Sequence, residues 1–539
     1  MQKLLLLGDE AIAQAAVDAG MSGMYAYPGT PSTEIMEYVQ GSPEAKSGEL
    51  VATWAANEKT AMEEALGVSY AGRRAMTSMK HVGLNVAADA FINSAITGAN
   101  GGLLVVAADD PSMHSSQNEQ DSRFYGKFAM IPVLEPVNQQ EAYDMVWFGF
   151  DLSEKYGIPV MIRITTRLAH SRAGVIRKEK RQQNPVSSPS NPRQFILLPA
   201  NARRQYDGLL KNQVNFEKEA DSSPFNQYFD GSDKKLGIIV CGIGYNYLME
   251  NYAETKFPHP MVKIGHYPLP NSHIRKIYEE CEELLIIEEG YPLVEEQIRG
   301  FLNQGKKIRG RLDGTLPRAG ELNPNRVAAA LGLPEKFGWP VPELVVGRPP
   351  SLCKGCPHIY SYNALNEALS NYSKGRVFSD IGCYTLGALE PFTAINTCVD
   401  MGASITMAKG AADVGFRPSV AVIGDSTFTH SGMTGLLDAI NDKTPVTVMI
   451  LDNATTAMTG GQNSSAFGKI EEICIGLGVE KEHIHVLNPS PKYHEENMKI
   501  MSQEIGYDGV SVIIPRRECI QTVARRIRAQ KKAKESTKS

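Results

Sequence analysis

The sequence predicts a multidomain α/β protein whose parallel sheets are flanked by helices. Short apolar runs at 4–7, 420–423 and 446–451 end in polar, glycine-bearing loops, as buried parallel strands do. Stretches with helical spacing lie between such runs, Leu436, Leu437 and Ile440 among them, and strands alternating with helices argue for a parallel layer. At 539 residues the chain exceeds what one core serves, so several domains are expected.

Taken in order, the run LLLL (4–7) reads as a first strand and residues 10–19 as an amphipathic helix. A strand at 24–27 ends in Pro28-Gly29-Thr30-Pro31-Ser32, a loop stiffened by two prolines, with Ser32 or Thr33 able to cap the next helix. Asn57-Glu58-Lys59 opens a helix over 60–70, where an acid suits the helix dipole. Further strands are expected at 75–78, 102–107 and 160–163. The segment 172–235 turns to Pro, Ser, Asn, Gln and charge and reads as a partly ordered linker. A compact α/β segment follows at 236–312, with strands near 236–241, 262–265 and 283–288. Its Cys241-Gly242-Ile243-Gly244 lacks the third glycine of a dinucleotide loop and reads as a structural turn. Proline-rich 313–350 reads as a second linker, 351–520 as the last domain and 521–539 as a basic tail.

Composition narrows the function. Hydrophobic residues at 42% and charged residues at 21% describe a soluble globular chain, and a net charge of −5 offers no basic face for nucleic acid. The start, MQKLLLLGDEAIAQ, is too short in its apolar run for a signal peptide or a membrane span, so a cytoplasmic protein is expected. Eight cysteines at this length do not form a secreted disulfide framework.

The chemistry concentrates at 419–463. Two adjacent strands opening on one sheet edge would place Asp425 and Asn453, 28 positions apart, side by side, where open α/β sheets bind ligands. A carboxylate, an amide oxygen and a backbone carbonyl make a hard oxygen set suited to Mg2+ shared with phosphates. These residues resemble the diphosphate signature of thiamine diphosphate enzymes, GDG and a later Asn, with Ser426 standing where the second Gly is usual. The resemblance implies that Gly424 admits the phosphates and that Asp425, Asn453 and the carbonyl of Thr455 hold Mg2+. Thiamine diphosphate also requires a buried Glu on its pyrimidine ring, which promotes the imino form that deprotonates the thiazolium carbon. Glu58 is the best candidate. The polar loop 109–123 reads as a substrate loop, with His114 and Arg123 as carboxylate partners for a 2-oxo acid and His81 nearby.

Cys353 and Cys356 form a C-x-x-C loop, followed by His358, by Cys383 27 positions after Cys356, and by Cys519. Two readings stand: zinc on Cys353, Cys356, His358 and Cys383, or a 4Fe–4S cluster on Cys353, Cys356, Cys383 and Cys519. The order of the latter four resembles the proximal-cluster ligands of 2-oxoacid:ferredoxin oxidoreductases. Cys241, Cys281, Cys398 and Cys474 read as buried, inert thiols.

Several motifs together resemble the alpha subunit of indolepyruvate:ferredoxin oxidoreductases. They are YPGTPSTE (27–34), WAANEKTAMEEALG (54–67), MKHVGLN (79–85), DDPSMHSSQNEQDSR (109–123), RPPSLCKGCPH (348–358), SDIGCYTLG (379–387) and GDSTFTHSG with LDNATTAMTGGQ (424–432 and 451–462). The resemblance implies a thiamine diphosphate-binding fold with a pyrimidine-binding domain at 1–171, a transketolase C-terminal-like domain at 236–312 and a diphosphate-binding domain at 351–520. It implies oxidative decarboxylation of an arylpyruvate with coenzyme A and ferredoxin to arylacetyl-CoA, CO2 and reduced ferredoxin. Thr30 would sit near cofactor and substrate, a beta subunit would complete the enzyme, and a dimer of heterodimers would let the cofactor bridge its two domains. The family commonly adds a ferredoxin-like domain with C-x2-C-x2-C-x3-C-P repeats, which this sequence lacks. Electrons would then leave from the proximal cluster to an external ferredoxin or another subunit. His358 is followed by Ile359, where the family pattern has a basic residue. Two other readings keep less of this: a non-oxidative 2-oxo acid decarboxylase, or a non-catalytic assembly subunit.

Overall fold

In the computed structural model, residues 3–302, 305–336, 338–347, 350–413 and 415–536 are described, with side chains to 531. Arg348 and Pro349 of the cysteine-loop motif, and the last three residues of the basic tail, lie outside the described residues. The chain forms two compact units, Met1–Trp339 and Pro340–Ser539.

The first unit is built on a seven-stranded sheet in the order His266–Tyr267, Val133–Leu134, Val160–Thr165, Leu103–Asp109, Ala75–Lys80, Gly23–Ala26 and Val51–Trp54. All pairs are parallel except the one made by His266–Tyr267, so the loops after the central strands share one edge. The central strands are buried at every position, including the polar Thr77, Ser78 and Arg163. A second sheet of five strands is centred on Leu236–Cys241 between Glu283–Ile287 and Met261–Ile264.

The expected first strand, 4–7, does not join the parallel sheet. Lys3–Leu7 pairs antiparallel with Arg172–Ile176 in a separate two-stranded ribbon. Leu6 is buried there while Leu5 is 67% exposed, the alternation of a ribbon with one wet face. The helix after the Thr30 loop, Thr33–Gly41, has no side-chain cap at Ser32. Instead Ser32 Oγ donates to the Gly29 carbonyl (2.8 Å), and Thr33 Oγ1 accepts from the Gly29 N–H (3.0 Å), closing the loop on itself.

The two proline-rich segments are more ordered than expected. Within 172–235 the helix Pro199–Asp221 buries Leu209, Phe216 and Ala220 on one face. Too few apolar residues mark that face for composition to reveal it. The extended stretch before it is pinned by ions, Arg177 to Asp18 (2.6 Å) and Arg181 to Asp151 (2.6 Å). Within 313–350 the helix Pro324–Leu331 buries Val327, Ala328 and Ala330 behind an Asn323 cap.

The second unit carries a five-stranded, all-parallel sheet in the order Val377–Ser379, Val420–Gly424, Val446–Leu451, Val510–Pro515 and Ile484–Leu487. Its core lies on both faces: Ile405, Leu436 and Cys474 belong to one cluster, Tyr362, Leu365 and Met501 to the other. Among the described residues no helix is long and apolar enough to cross a membrane.

Candidate active site

In the first unit the carboxyl edge of the sheet gathers the residues that the sequence singles out. The strand Gly23–Ala26 leads to the Thr30 loop, Val51–Trp54 to Glu58, and Ala75–Lys80 to His81. Asn57 caps the helix Glu58–Tyr70 by accepting from the Thr60 N–H (2.8 Å), which places Glu58 in the first turn. Glu58 is buried, and its carboxyl lies against Gly83, where a Cβ would stand only 2.5 Å from Oε1. The glycine of MKHVGLN therefore makes the space that Glu58 occupies.

Lys80 is the residue at this edge that sequence reasoning missed. Its Nζ donates to the Ser115 carbonyl (2.5 Å) and to Ser115 Oγ (3.2 Å), and Ser115 Oγ donates to the Thr30 carbonyl (3.3 Å). Burial pushes the ammonium down to about 8 although Asp110 favours its charge. Burial also holds His81 below the usual histidine range. The only signal in the sequence is a lysine closing an otherwise uncharged strand.

Arg123 corrects an expectation. Rather than waiting for a substrate carboxylate, it is fully buried and every N–H of its guanidinium is committed. Nε donates to Asp121 (2.9 Å), and Nη2 to Asp121 (2.5 Å) and the Tyr291 carbonyl (2.9 Å). Nη1 meets Glu288 (3.1 Å) and the Tyr267 hydroxyl (3.1 Å). Against burial, which alone would raise it, Arg123 and Arg163 hold the Asp121 carboxyl down at about 2. The network ties the 109–135 region to the second sheet, a structural duty. His114 stands 53% exposed, 3.6 Å from Glu321, an acid already held by Arg167 (2.8 Å).

In the second unit the register pairs Gly424 with Leu451, so Asp425 and Asn453 leave neighbouring parallel strands at the same edge. Both are buried, as are Ser426 and Thr455. Asn453 Oδ1 accepts from the Thr455 N–H (3.1 Å), keeping a lone pair in reserve, and Ser426 Oγ lies 2.9 Å from Thr456 Oγ1. Asp425 Oδ2 is buried without a hydrogen-bond partner. Burial, then the negative charge of Asp452, push the Asp425 carboxyl up to about 7. A carboxylate oriented this way lacks a cation, so the residues fit Mg2+ in the cofactor's diphosphate site. At Gly424 a Cβ would meet the Tyr384 ring at 2.6 Å. That ring's hydroxyl donates to Asp380, which also accepts from Gly402 N–H (3.1 Å) and Ser404 Oγ (2.6 Å). Asp380, unremarked in the sequence, thereby holds the start of the helix Ala403–Asp413.

Cys353, Cys356, Cys383 and Cys519 line one cavity of about 160 Å³, together with His358 and Asn453. Burial, then the neighbouring thiols, push Cys356 up to about 11 and Cys383 to about 12. Tetrahedral zinc would draw its sulfurs to about 3.8 Å from one another. Among the described residues no three of these Cys and His ligand atoms lie within 4.8 Å of one another. His358 Nε2 is engaged elsewhere, 3.4 Å from Asn453 Nδ2, and burial holds its pKa down at about 4. Four thiols lining one cavity are the ligand number a 4Fe–4S cluster takes. Cys241 and Cys474 are buried as expected, whereas Cys398 is exposed.

Comparison with known proteins decides the family. A family model described as pyruvate flavodoxin/ferredoxin oxidoreductase, thiamine diphosphate-binding, matches residues 14–218. A second, the C-terminal binding domain of thiamine pyrophosphate enzymes, matches 380–481. Indolepyruvate oxidoreductase subunit IorA of Archaeoglobus fulgidus is 38% identical over 96% of this chain and 86% of its own length. The subunits of the same name from Pyrococcus abyssi and Methanothermobacter thermautotrophicus are 38% and 36% identical, each over 96% of this chain and over 86% and 87% of their own lengths. The chain belongs to the indolepyruvate oxidoreductase IorA family. It is a thiamine diphosphate-dependent oxidoreductase of the 2-oxoacid:ferredoxin kind, and both family and fold class are those that its motifs implied. The IorA relatives span the cysteine loop, the Thr30 loop and the Asp425 edge alike, since the match covers nearly the whole chain.

Proposed function

We propose that this IorA-family chain is the catalytic subunit that oxidatively decarboxylates arylpyruvates with coenzyme A and ferredoxin, giving arylacetyl-CoA, CO2 and reduced ferredoxin. The observation that carries the reading is the partnerless carboxylate oxygen of Asp425, at a sheet edge it shares with Asn453, whose side chain lines the cavity of the four thiols. The aryl preference rests on the name of the relatives. We assign pyrimidine binding to 1–171 and diphosphate binding to 351–520.

Bound thiamine diphosphate supplies the carbon nucleophile and electron sink for decarboxylation, and a 4Fe–4S cluster accepts the electrons singly. The chain's own residues do the rest. Asp425, Asn453 and the Thr455 carbonyl hold Mg2+ and with it the diphosphate, next to Gly424 and Ser426. His358 accepts from Asn453 Nδ2 and fixes the amide with its oxygen toward the metal. Glu58, confined by Gly83, offers its carboxyl to the aminopyrimidine and exchanges a proton there. Lys80 and the Thr30 loop present positive charge and hydrogen-bond donors to a substrate carboxylate, the part first expected of Arg123. His114, on the exposed loop, is a candidate for contact with the incoming acid. Cys353, Cys356, Cys383 and Cys519 hold the cluster.

A beta subunit completes the enzyme as a dimer of heterodimers, consistent with relatives named as subunits. External ferredoxin docks near the cysteine cavity. Eight cysteines without disulfide partners suit a cytoplasmic setting. The test is anaerobic purification of the native complex, with analysis for iron, sulfide and thiamine diphosphate and an assay of dye reduction with indolepyruvate. Reduction that requires CoA supports the proposal. Aldehyde release without CoA, in a protein lacking iron, would overturn it in favour of a non-oxidative decarboxylase.

A further inference from the structure

The first unit carries another cluster of ligating side chains, one the thiamine diphosphate chemistry does not use. Asp9 lies in the first turn of the helix Gly8–Asp18, Glu34 in the first turn of Thr33–Gly41, and His170 at the end of Thr166–His170. One ligating atom from each lies within 4.8 Å of the other two. Asp9 is completely buried, and neither of its carboxylate oxygens has a hydrogen-bond partner. Glu34 Oε2 also lacks one and stands 3.6 Å from His170 Nε2. An unpaired carboxylate sealed from water is among the costliest groups a fold can hold.

The other acids nearby have partners of their own. Glu10 is committed to Arg172 (3.0 Å), and Asp110 accepts from Ser116 (2.6 Å) and Thr166 (2.8 Å).

We propose that Asp9, Glu34 and His170 form a binding site for a divalent transition-metal ion, separate from the Mg2+ of the diphosphate site. Two carboxylates and an imidazole suit Zn2+, Mn2+ or Fe2+ with water in the remaining positions, whereas Mg2+ and Ca2+ favour oxygen alone. The side chains of His170 and Glu34 are 35% and 37% exposed, so the ion enters from solvent and meets Asp9 at the closed end. The ion would fasten three helices together. One of them, Thr33–Gly41, begins directly after the Thr30 loop, so occupancy would steady that loop.

The test uses the holoenzyme with its cluster intact and thiamine diphosphate and Mg2+ in excess, dialysed against a weak chelator and then titrated with Zn2+. Wild type should retain one more zinc per chain than His170→Asn or Glu34→Gln, both at half-exposed positions that leave the fold intact. Zinc affinity at that site should fall roughly tenfold or more in either variant, and the zinc-induced rise in melting temperature should vanish. Equal zinc retention and equal melting shifts in wild type and both variants overturn the site. So does a wild type indifferent to zinc whose Asp9→Asn variant melts higher, since Asp9 and Glu34 would then simply share a proton.

Discussion

Replacing Asp425 by Asn should stabilise the cofactor-free protein while abolishing its response to the cofactor. The folded-state carboxyl titrates at about 7 against an ordinary 3.8, because of burial and the charge of Asp452. A raised acid stabilises the fold only while protonated. Its contribution is fully present below pH 3.8 and is lost as pH rises through about 7. The gap of about three pH units corresponds to on the order of 4 kcal/mol. Asn removes that charge but leaves an amide group without a partner, at a cost of about 1–3 kcal/mol. The net gain in the cofactor-free state near pH 8.5 is then roughly 2 kcal/mol, or about 4–8 °C for a unit of this size. The gain should shrink toward about pH 5, where the native carboxyl is already neutral. Thermal melts of the cofactor-free protein at both pH values, with and without thiamine diphosphate and Mg2+, read all of this. In wild type the cofactor's apparent affinity should fall about tenfold per unit below pH 7, as protons compete with Mg2+. An Asp425→Asn variant that melts no higher than wild type near pH 8.5, or that is still stabilised by the cofactor, refutes the reasoning.

Glu58→Gln should lower turnover by roughly 100-fold or more while calorimetry finds cofactor affinity changed only severalfold. Gly83→Ala should mimic it without replacing the acid, because the new Cβ would stand 2.5 Å from Glu58 Oε1, with a loss on the order of 100-fold in dye-reduction rate. Cys383→Ala should remove iron, sulfide and the absorbance near about 400 nm; an unchanged iron content would place the cluster elsewhere. Arg123→Met should destabilise the first unit by about 3–5 kcal/mol, leaving Asp121 and Glu288 unpaired, as read from the urea midpoint. The surviving folded enzyme should keep its KM for the 2-oxo acid, whereas Lys80→Met should raise it.

What the sequence made legible was what local pattern encodes. Val446–Leu451 is buried at all six positions and reads as a strand without ambiguity. Asp425 and Asn453 each follow such a run, so their meeting at one edge needed only the parallel pairing. Arg123 was misread because a basic residue in a polar loop looks the same whether it awaits a substrate or buried acids. Its partner Glu288 is far away in sequence, and only folding brings the two together. The helix Pro199–Asp221 escaped notice because a few apolar side chains define its buried face in an otherwise polar stretch. The Tyr384 ring that a Cβ at Gly424 would meet arrives from another loop and left no local signal in the sequence.

The wall shared by Asn453, His358 and the four cysteines couples two maturation events that are usually considered apart. Under the proposed assignment, a chain without its iron would present loose thiols against the histidine that lies 3.4 Å from the Asn453 amide. Vitamin retention and iron loading should therefore rise and fall together, and a preparation handled aerobically should shed both in parallel.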